Sequence, residues 1–120
     1  MQAEQLDQQH LDQYLWRLQL PAKTLPPYDH TNTYIITNDI GEALLVDVGS
    51  DEGARQVNAW LKARALHLTG ILLTHTHIDH IAGLRMLLEH TNPALPIHLH
   101  AAEVDRLDAN LTFPYDKVLL

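Results

Sequence analysis

The residues best equipped for chemistry stand together at 74–83, Thr-His-Thr-His-Ile-Asp-His-Ile-Ala-Gly. His75, His77, Asp79 and His80 can each ligate a metal. In extended chain alternate side chains share a face, so His75 and His77 can reach one cation. Asp79 and His80 are adjacent, at the turn into a helix, and can hold a second. Imidazole nitrogen and carboxylate oxygen without thiolate suit zinc, iron or manganese, and the chain contains no cysteine. Such a pair of ions, roughly 3.5–4 Å apart, can hold a hydroxide between them and polarise a substrate oxygen. Metal binding lowers the pKa of water from about 15.7 to about 7, roughly 12 kcal/mol at about 1.36 kcal/mol per unit, which no lone carboxylate base matches. One isolated histidine at a strand end is ordinarily a surface residue. Four residues of ligand type in this order at a strand-to-helix junction are a poor fit to chance.

The elements around the run must bring it to a sheet edge. Residues 71–74 read as a short apolar strand leading into it, and Ile81, Leu84, Leu87 and Leu88 mark one side of a helix after it. Asn92-Pro93 ends that helix, because the residue before proline avoids the helical region. Upstream, 33–37 and 43–48 are strands joined by an Asn-Asp-Ile-Gly turn, close enough to form a hairpin. Ser50 or Asp51 caps a helix over about 52–66, with Ala54, Val57, Leu61 and Ala65 on its inner face. Residues 96–100 read as a strand and 101–108 as a short helix, and 115–120 look like the start of another strand. Three prolines make 21–30 a loop. Residues 1–14 are read as an N-terminal arm or helix. The stretch 15–20 fits either a continuation of that helix or a strand with Trp16, Leu18 and Leu20 on one face, and the strand is preferred. The order β-β-β-α-β-α-β-α implies an α/β layered sheet in a single domain over 1–120.

Composition narrows the function classes. The chain has 120 residues, 46% of them hydrophobic, which is one domain able to bury a core. A net charge of −7 with only 8 Lys and Arg leaves no basic footprint for nucleic acid. No apolar run reaches the roughly 20 residues of a membrane span. The N-terminal residues lack the charged start and apolar centre of a signal peptide. The expected setting is soluble and cytoplasmic, with a small-molecule substrate.

The run HTHIDH resembles the HxHxDH signature of the metallo-β-lactamase-fold superfamily. Its surroundings agree in register: Asn32-Thr33-Tyr34-Ile35-Ile36 resembles the family's NxYxI strand, and Val46-Asp47-Val48-Gly49 its first acidic motif. The usual Gly-Gly after the signature is Ala82-Gly83 here. The resemblance covers about residues 15–105. It implies that His75 and His77 bind a first metal, that Asp79 and His80 bind a second, and that Asp79 also handles a proton. Asp47 would orient the metal loop through hydrogen bonds, a role metal sites need. Gly49 would serve the tight strand-to-helix turn without a Cβ.

The resemblance also implies an αββα sandwich, of which this chain looks like the N-terminal half. The family's third His for metal one, its bridging Asp and its final His come after further strands. Catalytic zinc usually has three protein ligands, so a C-terminal half or a partner chain is expected to complete the site. Oligomerisation is a further route. His98 and His100 share a face by period two, but the resemblance makes neither a ligand. His10, His30, His67 and His90 read as surface residues.

The leading functional expectation is a metal-dependent hydrolase carrying two divalent ions, zinc first, with iron or manganese as alternatives. It would attack an ester, thioester, lactone or amide carbonyl with metal-bound hydroxide, glyoxalase II-like enzymes being nearest in texture. One alternative is a non-catalytic metal-binding half-fold or assembly module. Another keeps the fold but places the chain in a nuclease or iron-dependent dioxygenase branch.

Overall fold

Strands with period-two burial dominate the first half of the chain. In the computed structural model, which describes residues 8–21, 30–74, 81–104 and 106–107, they build one six-stranded sheet. The strands are β1 (Gln8–Asp12), β2 (Leu15–Pro21), β3 (His30–Thr37), β4 (Glu42–Val46), β5 (His67–Leu72) and β6 (Ile97–His98). They lie in the order of the sequence. The pairs β1–β2, β2–β3 and β3–β4 are antiparallel, whereas β4–β5 and β5–β6 are parallel. The parallel pairs follow from connections through helices: α1 (Asp51–Ala63) joins β4 to β5, and α2 (Leu84–His90) precedes β6. The expected α/β class and the β3–β4 hairpin are both present. Asn38 shapes its turn by accepting from the Ile40 and Glu42 N–H groups at 3.2 and 2.9 Å.

Leu18, Leu20, Ile35, Leu45 and Ile71 project from the sheet onto α1 and α2 and are fully buried. They meet Ala54, Val57, Trp60 and Leu61 of α1 and Leu84 and Leu87 of α2 in one core. Each large side chain so buried contributes about 1.5–3 kcal/mol. The other face of the sheet, by the same alternation, carries Tyr34, Ile36, Leu44, Val46 and Leu72. Ile36 is 42% exposed and Leu72 38%, so this apolar face is open among the described residues.

Four sequence expectations need correction. The expected arm or helix before Gln13 is instead the strand β1 over its described part, paired to β2 with Gln8 opposite Leu18. Tertiary partners outweigh its weak helical spacing. The Gln8 side-chain Oε1 accepts from Trp60 Nε1 at 2.7 Å and from Arg64 at 2.9 Å, and the His10 ring stacks on Trp16 at 4.0 Å. The strand expected at 71–74 begins earlier, at His67, because it pairs with β4 from Glu42 onward. The first helix stops at Ala63, and Ala65 turns left-handed (φ 54) rather than packing inward. Trp60, not Ala65, completes the inner face. The expected helix at 101–108 opens as a 3-10 turn, Ala101–Glu103. The strand expected at 115–120 lies outside the described residues, as does most of the 21–30 loop.

Candidate metal centre at the parallel strand ends

Parallel strands end on the same side, so β4 and β5 deliver their last residues to one edge of the sheet. Val46 pairs with Leu72, and the Asp47 N–H then donates to the Leu72 carbonyl at 2.9 Å. This edge is where open sheets with parallel strands present functional loops. His75, His77, Asp79 and His80 follow directly from β5 in sequence, and all four lie outside the described residues. Among the described residues no three His, Asp or Glu side chains gather in a way that could hold a metal.

The described residues on either side of the run converge on one turn. Asp47 is 3% exposed and non-glycine, yet it adopts a left-handed backbone, φ 66. That conformation turns its carboxylate across to β5. Oδ1 accepts from the Thr74 N–H at 2.9 Å, and Oδ2 accepts from the Thr74 hydroxyl at 2.7 Å. A buried carboxylate needs such donors, because an unpaired one is costly. Thr74 is the residue immediately before His75, so Asp47 holds the first stem of the run.

The second stem returns at Gly83, whose N–H donates to the Gly49 carbonyl at 2.7 Å. A Cβ on Gly83 would lie 2.2 Å from the Ser50 carbonyl oxygen, so only glycine permits this approach. Gly49 itself is left-handed, φ 82, and leads into the cap of α1. There the Ser50 hydroxyl donates to the Pro21 carbonyl at 2.6 Å, and its oxygen accepts from the Gly53 N–H at 3.2 Å. The turn 47–50 thus ties together β2, β4, β5, α1 and the segment that returns to α2.

The later histidines take different parts. His98 pairs with Leu72 on β6, and its ring lies beside Gly70, where the missing side chain leaves room. His100 Nδ1 accepts from the Ala102 N–H at 3.0 Å and caps the 3-10 turn. Of the histidines read as surface residues, His10, His67 and His90 are exposed and His30 is half-buried. Sequence reasoning missed Thr33 and Thr74. Thr74 does stand next to the ligand run, and position 33 falls inside the Asn-Thr-Tyr strand, but neither has a residue type that announces a partner.

The sequence profile of the metallo-beta-lactamase superfamily matches residues 26–116. The chain belongs to that superfamily. Among curated superfamily relatives, atrochrysone carboxyl ACP thioesterase of Passalora fulva is 35% identical, with 70% of this chain and 25% of that protein covered. Hydroxyacylglutathione hydrolase of Vibrio cholerae is 38% identical, with 58% and 26% covered. The chain therefore spans about a quarter of the length of these relatives. Among solved structures, the metallo-beta-lactamase DIM-1 superposes with a TM-score of 0.73 at 19% identity, over 91% of this chain and 49% of that one. The fold is thus that of a metallo-beta-lactamase, and this chain aligns with about half of it. No helix among the described residues is long and apolar enough to cross a membrane.

Proposed function

We propose that the protein is a metal-dependent hydrolase of the metallo-beta-lactamase superfamily, acting on an ester, thioester, lactone or amide carbonyl. The observation that carries this reading is the buried Asp47 carboxylate, both of whose oxygens are taken by Thr74 at the threshold of HTHIDH. A motif kept only as a surface feature has no need of a buried charge to aim it. The relatives named as a thioesterase and a hydroxyacylglutathione hydrolase support hydrolysis, and make a thioester the first substrate class to try.

The donor set fits divalent metal: three imidazoles and one carboxylate with no thiolate are the ligands zinc, iron or manganese accept. His75 and His77 would hold one ion, and Asp79 and His80 a second. When bound, the ions would lower the pKa of water to about 7 and polarise the carbonyl. The chain's own residues supply position and proton handling. Asp79 would take and return a proton beside the scissile carbonyl. Asp47 would keep the ligand run at its distance from the sheet through Thr74, and Gly83 would bring the run back against Gly49. Two histidines are one short of the usual three for a catalytic zinc. The remaining ligands would come from a C-terminal half or a partner chain, for which the open Ile36–Leu72 face offers a seat.

The test is hydrolysis of a simple S-acyl thioester by the full-length protein. Asp79→Ala is expected to abolish turnover while leaving far-UV circular dichroism unchanged. Undiminished hydrolysis in that variant overturns the assignment.

A further inference from the structure

Thr33 stands beneath the turn that grips the ligand run. It lies in β3 opposite Leu18 and is completely buried. Its hydroxyl donates to the Asp47 carbonyl oxygen at 2.5 Å and also meets the Val46 carbonyl oxygen. Valine would fill the same volume without the cost of burying a hydroxyl, so packing alone does not account for threonine here. Its two carbonyl partners at the end of β4 do, and one of them is that of Asp47. Asp47 holds a left-handed backbone, which is disfavoured for a residue other than glycine, and such a conformation persists where its surroundings over-determine it. The Asp47 peptide is held from three sides: its N–H by the Leu72 carbonyl, its carboxylate by Thr74, and its carbonyl by Thr33.

We infer that Thr33 is a positioning residue for the metal centre. Its hydroxyl pins the Asp47 carbonyl and so keeps the Asp47 carboxylate aimed at Thr74, the residue from which the His75–His80 run departs. This rests on the metal-site reading above, and extends it one residue further from the ligands, to a side chain on another strand. The consequence is specific: removing the hydroxyl should loosen metal binding while the hydrophobic core stays filled.

Cobalt(II) is the probe, titrated into the metal-free full-length protein and followed by visible absorption, with chelator competition to set the affinity. Thr33→Val is expected to weaken binding about 10–100-fold, the range found when groups that orient metal ligands are lost, and to shift the absorption bands. Thr33→Ser, which keeps the hydroxyl, should bind as the parent does. Leu18→Ala, a cavity variant across the strand pair, controls for simple loss of stability; it should lower the urea midpoint and leave cobalt affinity in place. If Thr33→Val does not fold, Thr33→Cys replaces it, since a thiol is a much weaker donor of similar size. A Thr33→Val or Thr33→Cys protein that binds cobalt as tightly as the parent, while Asp47→Asn is weakened, overturns the inference and leaves the metal site standing. A parent protein that binds no cobalt overturns both.

Discussion

Asp47 and Gly83 are two described residues whose backbones fix the stems on either side of the His75–His80 run. Asp47 tolerates its left-handed conformation because hydrogen bonds hold it on three sides. Gly83 tolerates contact with Ser50 because it has no side chain. Gly83→Ala forces a Cβ against the Ser50 backbone, which gives way less easily than a flexible side chain. Overpacking of this kind costs about 1–3 kcal/mol, and the loss should appear as a lower urea midpoint. Tyr14 offers a different residue-scale test. Its hydroxyl donates to both Asp39 carboxylate oxygens at 2.9 Å. That hydrogen bond first, then burial and the carboxylate's negative charge, raises the phenol above its ordinary 10.0, with Gln13 working weakly the other way. A raised folded value means that the contribution is fully present below the unfolded value. It is lost as pH rises through the folded one. Tyr14→Phe should therefore lower the urea midpoint near neutral pH, and the gap to the parent should close in strongly alkaline solution. A gap that widened with pH would contradict the assignment of the pair.

At the scale of elements, helix α1 shows how local signals and packing share control. Ser50 and the acidic Asp51 and Glu52 mark its start, as capping and the helix dipole require. Its end was harder to foresee. The Leu66 N–H reaches back to the Leu61 carbonyl at 2.9 Å, and Ala65 must turn left-handed to allow it. Glycine is the usual residue at that position. Ala65→Gly is expected to raise stability by about 0.5–1 kcal/mol, since alanine at positive φ is strained by at least that much; thermal denaturation measures it. Strand β1 depends on partners rather than on its own sequence. The Arg64 guanidinium lies 4.1 Å from the Trp60 ring and shares Gln8 with the Trp60 indole. These contacts bring the end of α1 and the edge of the sheet together.

Across the whole molecule, one face of the sheet is covered by helices and the other is open and apolar among the described residues. Soluble monomers rarely expose large contiguous apolar patches, and the structural neighbour is about twice as long as the part this chain matches. The proposed metal centre belongs to this scale as well, because ions bound only in the folded state would stabilise it by mass action. Chelation of the full-length protein should abolish thioester hydrolysis and lower its Tm, and zinc should restore both. A chelated protein with unchanged Tm and activity would remove metal from the reading.

Much of this architecture is written in local pattern. Alternating burial in 33–37 and 43–48 and the capped apolar stripe after Ser50 each depend on residues near one another in the chain. They were readable because periodicity and capping are local physics. The class of sheet and the candidate ligands came from that level alone. What only the tertiary structure decided is which distant groups meet. Gln8 becomes part of a strand because Trp60 and Arg64 wait across the fold. Thr33 acquires a role because the end of β4 folds over its hydroxyl. Asp47 reaches Thr74 because two parallel strands, joined through a helix, end side by side. No spacing rule encodes those meetings, since a hydrogen bond between residues 14 or 27 positions apart depends on the register of strands and not on the chain between them.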